Sequence, residues 1–243
     1  MHKLSKPKFL NEGFTLIEMA VVLAIVGLLI GGLLVPLSVQ LDLRNYNETR
    51  QKMAVIKEAI MGFAVANGRL PCPATSTVSS SSVGAGTEVC DGTTTGVVPW
   101  ETLGIPELDA WNGRFSYAVT NSFIDSIISN TVSPPASCTD TPTNASFALC
   151  SAGSYSIINS DSISIGSNIP VLIISHGKNG YGAFRSDGTQ VSTDDASPAE
   201  LENLLTNTTF VHGTIVQSGY DDVVEWVSTN VLLNRMVTAG RLP

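Results

Sequence analysis

The feature that most constrains this chain is an apolar run at residues 14–35, FTLIEMAVVLAIVGLLIGGLLV, in which Thr15 and Glu18 are the only clearly polar members. As a helix, its 22 residues would rise about 33 Å, against a bilayer hydrocarbon core of about 30 Å. Sequence alone therefore predicts a membrane-spanning segment. Lys3, Lys6 and Lys8 precede it, and the positive-inside rule would hold them in the cytoplasm and place the rest of the chain outside. A secretory signal would show a shorter apolar core ending in a small-residue cleavage site. Here nothing like Ala-x-Ala ends the run, and a helical pattern continues past it. A plain signal anchor leaves Glu18 unexplained. A carboxylate one turn inside an apolar helix is expensive and needs a partner, and a cationic amine from another copy of the helix would serve.

Past Pro36, apolar or part-apolar residues recur at Leu43, Tyr46, Arg50 (by its stem), Met53, Ile56, Ile60 and Phe63. Spacings of three and four put these on one stripe of a helix. Asn67-Gly68 supplies a stop before Leu70-Pro71. Pro36 and the glycines at 27, 31 and 32 read as bend points, because proline lacks the amide hydrogen a helix interior uses.

The chain has 243 residues, enough for one good core or two small ones outside the helix. It is acidic, with 21 acidic against 13 basic residues. Removing residues 1–13 would leave 20 against 10. A nucleic-acid partner is not expected, since that grip needs clustered positive charge. Abundant Ser, Thr, Asn and Gly with few lysines after residue 57 look like an extracytoplasmic bacterial domain. Four cysteines allow three pairings. Pairing neighbours, Cys72 with Cys90 and Cys138 with Cys150, would close two short loops and remove entropy from the unfolded chain. Buried free thiols are the alternative. The absence of CxxC gives thioredoxin-like chemistry no support.

Residues 71–95 read as a Ser/Thr/Gly-rich loop, its serines at 79–82 the most mobile part. Asn112-Gly113 is a turn signal, and residues 114–120 alternate as a strand. Residues 131–152 form a second turn-rich loop. Residues 154–158 and 171–175 read as strands, 176–180 as a turn, and 181–185 as the returning strand. Asp187-Gly188 marks another turn. Ser197 with Glu200 forms a capping-box pattern opening a helix through Leu205. Residues 223–227 fit either a helix start or a strand, and Thr229 or Asn230 can cap a final helix.

Gly13-Phe14-Thr15-Leu16-Ile17-Glu18 resembles the processing site of type IV pilins and of the pseudopilins of type II secretion. The resemblance implies cleavage after Gly13 by a prepilin peptidase, N-methylation of Phe14, and neutralisation of a neighbouring subunit's terminal amine by Glu18. Further elements resemble pseudopilin-like proteins: Leu70 to Pro73 (LPCP), Val98-Pro99-Trp100 followed by Leu103-Gly104, and Asp109-Ala110-Trp111-Asn112-Gly113. The last departs from the family's Asp-x-Trp-Gly by the inserted Asn112. The segment from Asp221-Asp222 to Trp226 resembles a late strand of that family, which favours the strand reading. Some major pseudopilins hold calcium in a C-terminal loop, and Asp221 with Asp222 would supply hard oxygen ligands for one.

Ser175, His176 and Asp187 suggest a hydrolase only superficially, because Ser175 lacks a glycine-flanked elbow. The three histidines, at 2, 176 and 212, have no close zinc-ligand spacing. The glycosylation-like strings at Asn47, Asn144 and Asn207 read as accidental. The expected fold is α+β and pilin-like, a long N-terminal helix (membrane half plus amphipathic half) packed on a small antiparallel β-sheet. Its expected parts are a leader at 1–13, a transmembrane and filament-core helix at 14–35, an amphipathic continuation at 36–68, and a periplasmic β domain at 69–243. The expected role is a non-enzymatic filament subunit of a type II secretion or type IV pilus-type machine, single-pass in the bacterial inner membrane. Its partners would be a prepilin peptidase, other pilin or pseudopilin subunits and an inner-membrane assembly platform. The rival roles are a surface pilin for adhesion or DNA uptake and a membrane-anchored periplasmic enzyme.

Overall fold

A computed structural model of the protein describes residues 13–124, 145–213 and 219–242, and for residues 30–37 the backbone alone. Lys3, Lys6, Lys8, Cys138, Asn144 and most of the loop expected at 131–152 lie outside the described residues. The chain divides into two compact units, Met1–Arg44 and Asn45–Pro243. In the first, helix α1 (Leu16–Asn67) begins and passes Pro36 without a break in its helical backbone. One proline removes a single helical hydrogen bond, a local loss.

In the second unit, the α1 residues from 45 onward bury Thr49, Met53, Ile56, Ile60, Met61 and Ala64. These positions follow the three-and-four spacing of a helix face. The helix ends at Asn67, and Gly68 turns away at φ 70°. The other elements are β1 (Thr95–Val97), α2 (Trp100–Leu103), β2 (Ser116–Val119), β3 (Tyr155–Ile158), β4 (Ser164–Ile169), β5 (Val171–Ser175), α3 (Pro198–Glu202), β6 (Thr209–Val211), β7 (Val223–Val227) and α4 (Thr229–Thr238). Four strands form an antiparallel sheet in the order β1-β2-β5-β7. Three form a second sheet, β4-β3-β6, in which β3 and β6 run parallel.

The four-stranded sheet is covered on both faces. Phe115, Tyr117, Val119, Val171 and Ile173 join α1 and the Leu232 and Met236 side chains of α4 in one core. Ala118, Leu172, Ile174 and Val224 point the other way and pack with Tyr155, Ile157, Ile169 and Phe210 of the second sheet. A strand buried on both faces has no polar alternation to show. Thus all four residues of β2 and all five of β5 are buried.

This architecture corrects the expected fold class. The β part holds two small sheets, one of them mixed, instead of one antiparallel sheet, and several helices accompany them. No helix among the described residues is long and apolar enough to cross a membrane. The expected membrane half of the helix, and with it the single-pass inner-membrane topology with a cytoplasmic N-terminus and a periplasmic domain, is corrected on that finding.

Two local expectations also change. Residues 181–185 form no strand, and only an isolated bridge joins Phe184 to Gln190. The left-handed position of the 112–113 turn falls on Asn112 (φ 65°), because the Gly113 amide is drawn to the Asp109 carboxylate at 2.8 Å. Within the Ser/Thr/Gly-rich loop, the Ser80 amide and hydroxyl both donate to the Ser186 carbonyl. Cys72 and Cys90 form a disulfide, with Cα atoms 5.3 Å apart.

Candidate functional site: the N-terminal segment and an acidic cluster

Gly13 and Phe14 are exposed and precede α1. At the helix start the Thr15 amide and hydroxyl each donate to Glu18 Oε2 at 2.9 Å, and the Glu18 amide donates to the Thr15 hydroxyl at 3.3 Å. This is a capping box, reciprocal satisfaction of amides that a helix N-terminus leaves without partners. The bonds from Thr15 hold the Glu18 carboxyl below its usual range. Glu18 therefore has an intrachain task that the isolated reading of an unexplained charge missed. The Thr-x-x-Glu spacing was the available signal. Phe14, Leu16, Ile17, Leu23 and Leu28 remain largely exposed around it.

In the second unit, Glu200, Asp221 and Asp222 each bring an oxygen within 4.8 Å of the others, a cluster capable of coordinating a metal ion. The sequence brings them from two elements. Ser197 caps α3, and the Ser197 amide donates to Glu200 Oε2 at 2.7 Å. The Asn179 side chain donates to Glu200 Oε1 at 2.6 Å, and its amide donates to Asp221 Oδ2 at 2.8 Å. Asn203 donates to Asp222 Oδ2 at 2.8 Å. Gly177, at φ 59°, leaves room for Asp221, whose carboxylate would lie 2.6 Å from a Cβ there. Asp221 Oδ1, Asp222 Oδ1 and His176 Nδ1 are buried without a hydrogen-bond partner.

Burial, reinforced by the charges of Asp222 and Glu200, pushes the Asp221 carboxyl up to about 6, while the Asn179 and Lys178 amides pull it down. The folded state thus holds the Asp221 proton more tightly than the unfolded chain does. Its stabilising contribution is full below about pH 4 and is lost as pH rises through about 6. In chelator-treated protein, Asp221→Asn should flatten the fall in melting temperature between pH 4 and pH 7. An unchanged pH profile would count against this assignment.

A second cluster joins Cys72, Glu88 and Cys90. Its sulfurs are bonded to each other, and Glu88 accepts both Arg69 guanidinium nitrogens at 2.7 and 2.8 Å. In this oxidised state the trio closes a loop. Ser175, His176 and Asp187 are not brought together. Ser175 donates to Asp109 at 2.6 Å, the His176 Nε2 pairs with the Ser116 hydroxyl at 2.9 Å, and exposed Asp187 accepts from Thr189. The row Ser116–His176–Asp222 lies within the fold, each member at most 2% exposed. His176 and Glu200 are the residues that sequence reading undervalued, one as a turn histidine and the other as a cap alone. Only the Glu200 capping pattern carried any signal.

Residues 9–34 match the family described as the prokaryotic N-terminal methylation motif. No curated protein and no solved structure matches the chain. The chain thus carries a prepilin-type N-terminal motif, which implies processing by a prepilin peptidase and membership of a pilin-type assembly. Motif and fold together are consistent with a non-catalytic structural protein of the pilin or pseudopilin type.

Proposed function

We propose that this chain is a structural subunit, pseudopilin or minor pilin-like, of a type II secretion or type IV pilus-type filament. A prepilin peptidase cuts between Gly13 and Phe14, and the new Phe14 amine is methylated. Subunits then assemble through the N-terminal part of α1, with Glu18 accepting the amine of a neighbouring copy and an assembly platform feeding subunits in. The observation that carries this reading is the methylation motif at residues 9–34. The exposed apolar side chains of residues 14–29 around one carboxylate support it, since such a surface is stable only when another apolar surface covers it.

Mass spectrometry of the mature protein is expected to find an N-terminus at methylated Phe14. An intact leader, or a cut elsewhere, would remove the reading.

Calcium is the ion that the resemblance implies at Asp221 and Asp222. It takes six to eight oxygen ligands. Both Glu200 oxygens are already engaged by Ser197 and Asn179, and the third orphaned donor beside the two aspartates is a nitrogen. The donor set does not fit calcium.

A further inference from the structure

The two sulfurs of the disulfide joining Cys72 and Cys90 sit in opposite surroundings. Cys72 is completely buried, whereas Cys90 is exposed. Arg69 Nη1 donates to Cys72 Sγ at 3.8 Å. That guanidinium is fixed by the Leu70 carbonyl at 3.1 Å, by both Glu88 oxygens and by the Phe63 ring centred 5.1 Å away. Glu88 Oε2, which also accepts from the Cys72 amide at 2.9 Å, stands 3.7 Å from Cys90 Sγ. Thiol–disulfide exchange needs access to the sulfur under attack, and it is faster when the leaving thiolate is stabilised. Access selects Cys90 as the sulfur attacked. The Arg69 N–H selects Cys72 as the sulfur that leaves, since a cation beside a thiolate lowers its basicity. A thiol on Cys90, by contrast, can donate to the Glu88 carboxylate and stay protonated.

We infer that this disulfide is a directional exchange site for a dithiol partner, entered at Cys90 and resolved by Cys72. In the reducing direction, one thiolate of the dithiol attacks Cys90 Sγ. A mixed disulfide forms on Cys90, the bond to Cys72 breaks, and its electron pair leaves on Cys72 Sγ beside Arg69. The partner's second thiolate then attacks its own sulfur in the mixed disulfide and releases Cys90. Two electrons and, through water, two protons pass from the dithiol to the cysteine pair. Formation of the bond runs the same steps backward, the Cys72 thiolate expelling the partner from Cys90. The loop so closed supplies the Ser76 and Val78 carbonyls that accept from buried Arg114. The site is independent of filament assembly and is read in the purified chain.

Folded full-length protein would be mixed with excess glutathione, a monothiol that stops at the first step. The mixture would be quenched in acid, labelled with a maleimide and mapped by peptide mass spectrometry. The expected result is glutathione on Cys90 and maleimide on Cys72. Glutathione on Cys72, on both sulfurs equally, or on neither would overturn the proposal. Single-thiol variants give a second reading. Cys72→Ser, which keeps Cys90, should react with an aromatic disulfide reagent at least about 100-fold faster than Cys90→Ser. Equal rates in variants that fold, judged by circular dichroism, would also overturn it. Arg69→Gln should slow reduction by dithiothreitol on the order of threefold, and Arg69→Lys should restore the rate. An unchanged rate in folded Arg69→Gln would remove Arg69 from the mechanism.

Discussion

Glu18→Ala is expected to abolish incorporation of the subunit into filaments while the domain from Asn45 onward melts at the wild-type temperature. The residue lies in the first turn of α1, fully outside that domain's core. It has two tasks that a single substitution would confuse. One is local: its Oε2 takes the amide and hydroxyl of Thr15. The other is the proposed pairing with a neighbour's amine, which needs negative charge. Glu18→Gln separates them, because glutamine also completes a capping box but carries no charge. If charge is what matters, Gln fails in assembly as completely as Ala. If helix capping is what matters, Gln assembles and Ala does not. Pull-down of tagged variants with wild-type subunits decides it, and normal incorporation of both variants would remove the proposed role.

The largest loss of stability is expected at Arg114. Its guanidinium is completely buried and donates to Glu107 at 2.8 Å, the Ser76 and Val78 carbonyls at 2.7 and 2.8 Å, and Ser80 Oγ and the Ser186 carbonyl at 3.0 Å. It also stacks 4.7 Å from the Trp100 ring centre. Removing one partner of such a buried network strands the others, at a cost of about 3–5 kcal/mol. Arg114→Met should therefore lower the melting temperature by roughly 10 °C for a domain of this size. Arg114→Lys should recover little, since an ammonium cannot reach carbonyls on both sides as the planar fork does. A shift below about 2 °C in thermal melts would show that the loops at 76–80 and 186 hold without it.

The regular parts of the fold were the legible ones. The stripe through Met53, Ile56 and Ile60 declared a packed helix face, Val171 to Ser175 declared a buried strand, and Ser197 with Glu200 declared a helix start. The second sheet was hidden because β4 is mostly polar and exposed and β6 is three residues long. Neither shows a period. The apolar run at 14–35 invited a membrane-spanning reading that the described residues do not support. The acidic cluster was half visible. Asp221 and Asp222 stood out as adjacent charges, but Glu200 and His176 reach them only through folding. Arg114 had no signal either, since its ligands are largely backbone carbonyls of distant loops.

The central sheet also sets the order in which a nascent chain can become whole. Its strand β5 sits between β2, some fifty residues earlier, and β7, some fifty residues later. The α1 stripe leaves the ribosome first, yet part of its cover, Val223, Val227, Leu232 and Met236, is translated nearly last. At 5–20 residues per second that interval is on the order of ten seconds. Throughout it, the core around Met53, Ile56 and Ile60 lacks its last-made members, so the nascent chain passes through a stage with apolar surface exposed.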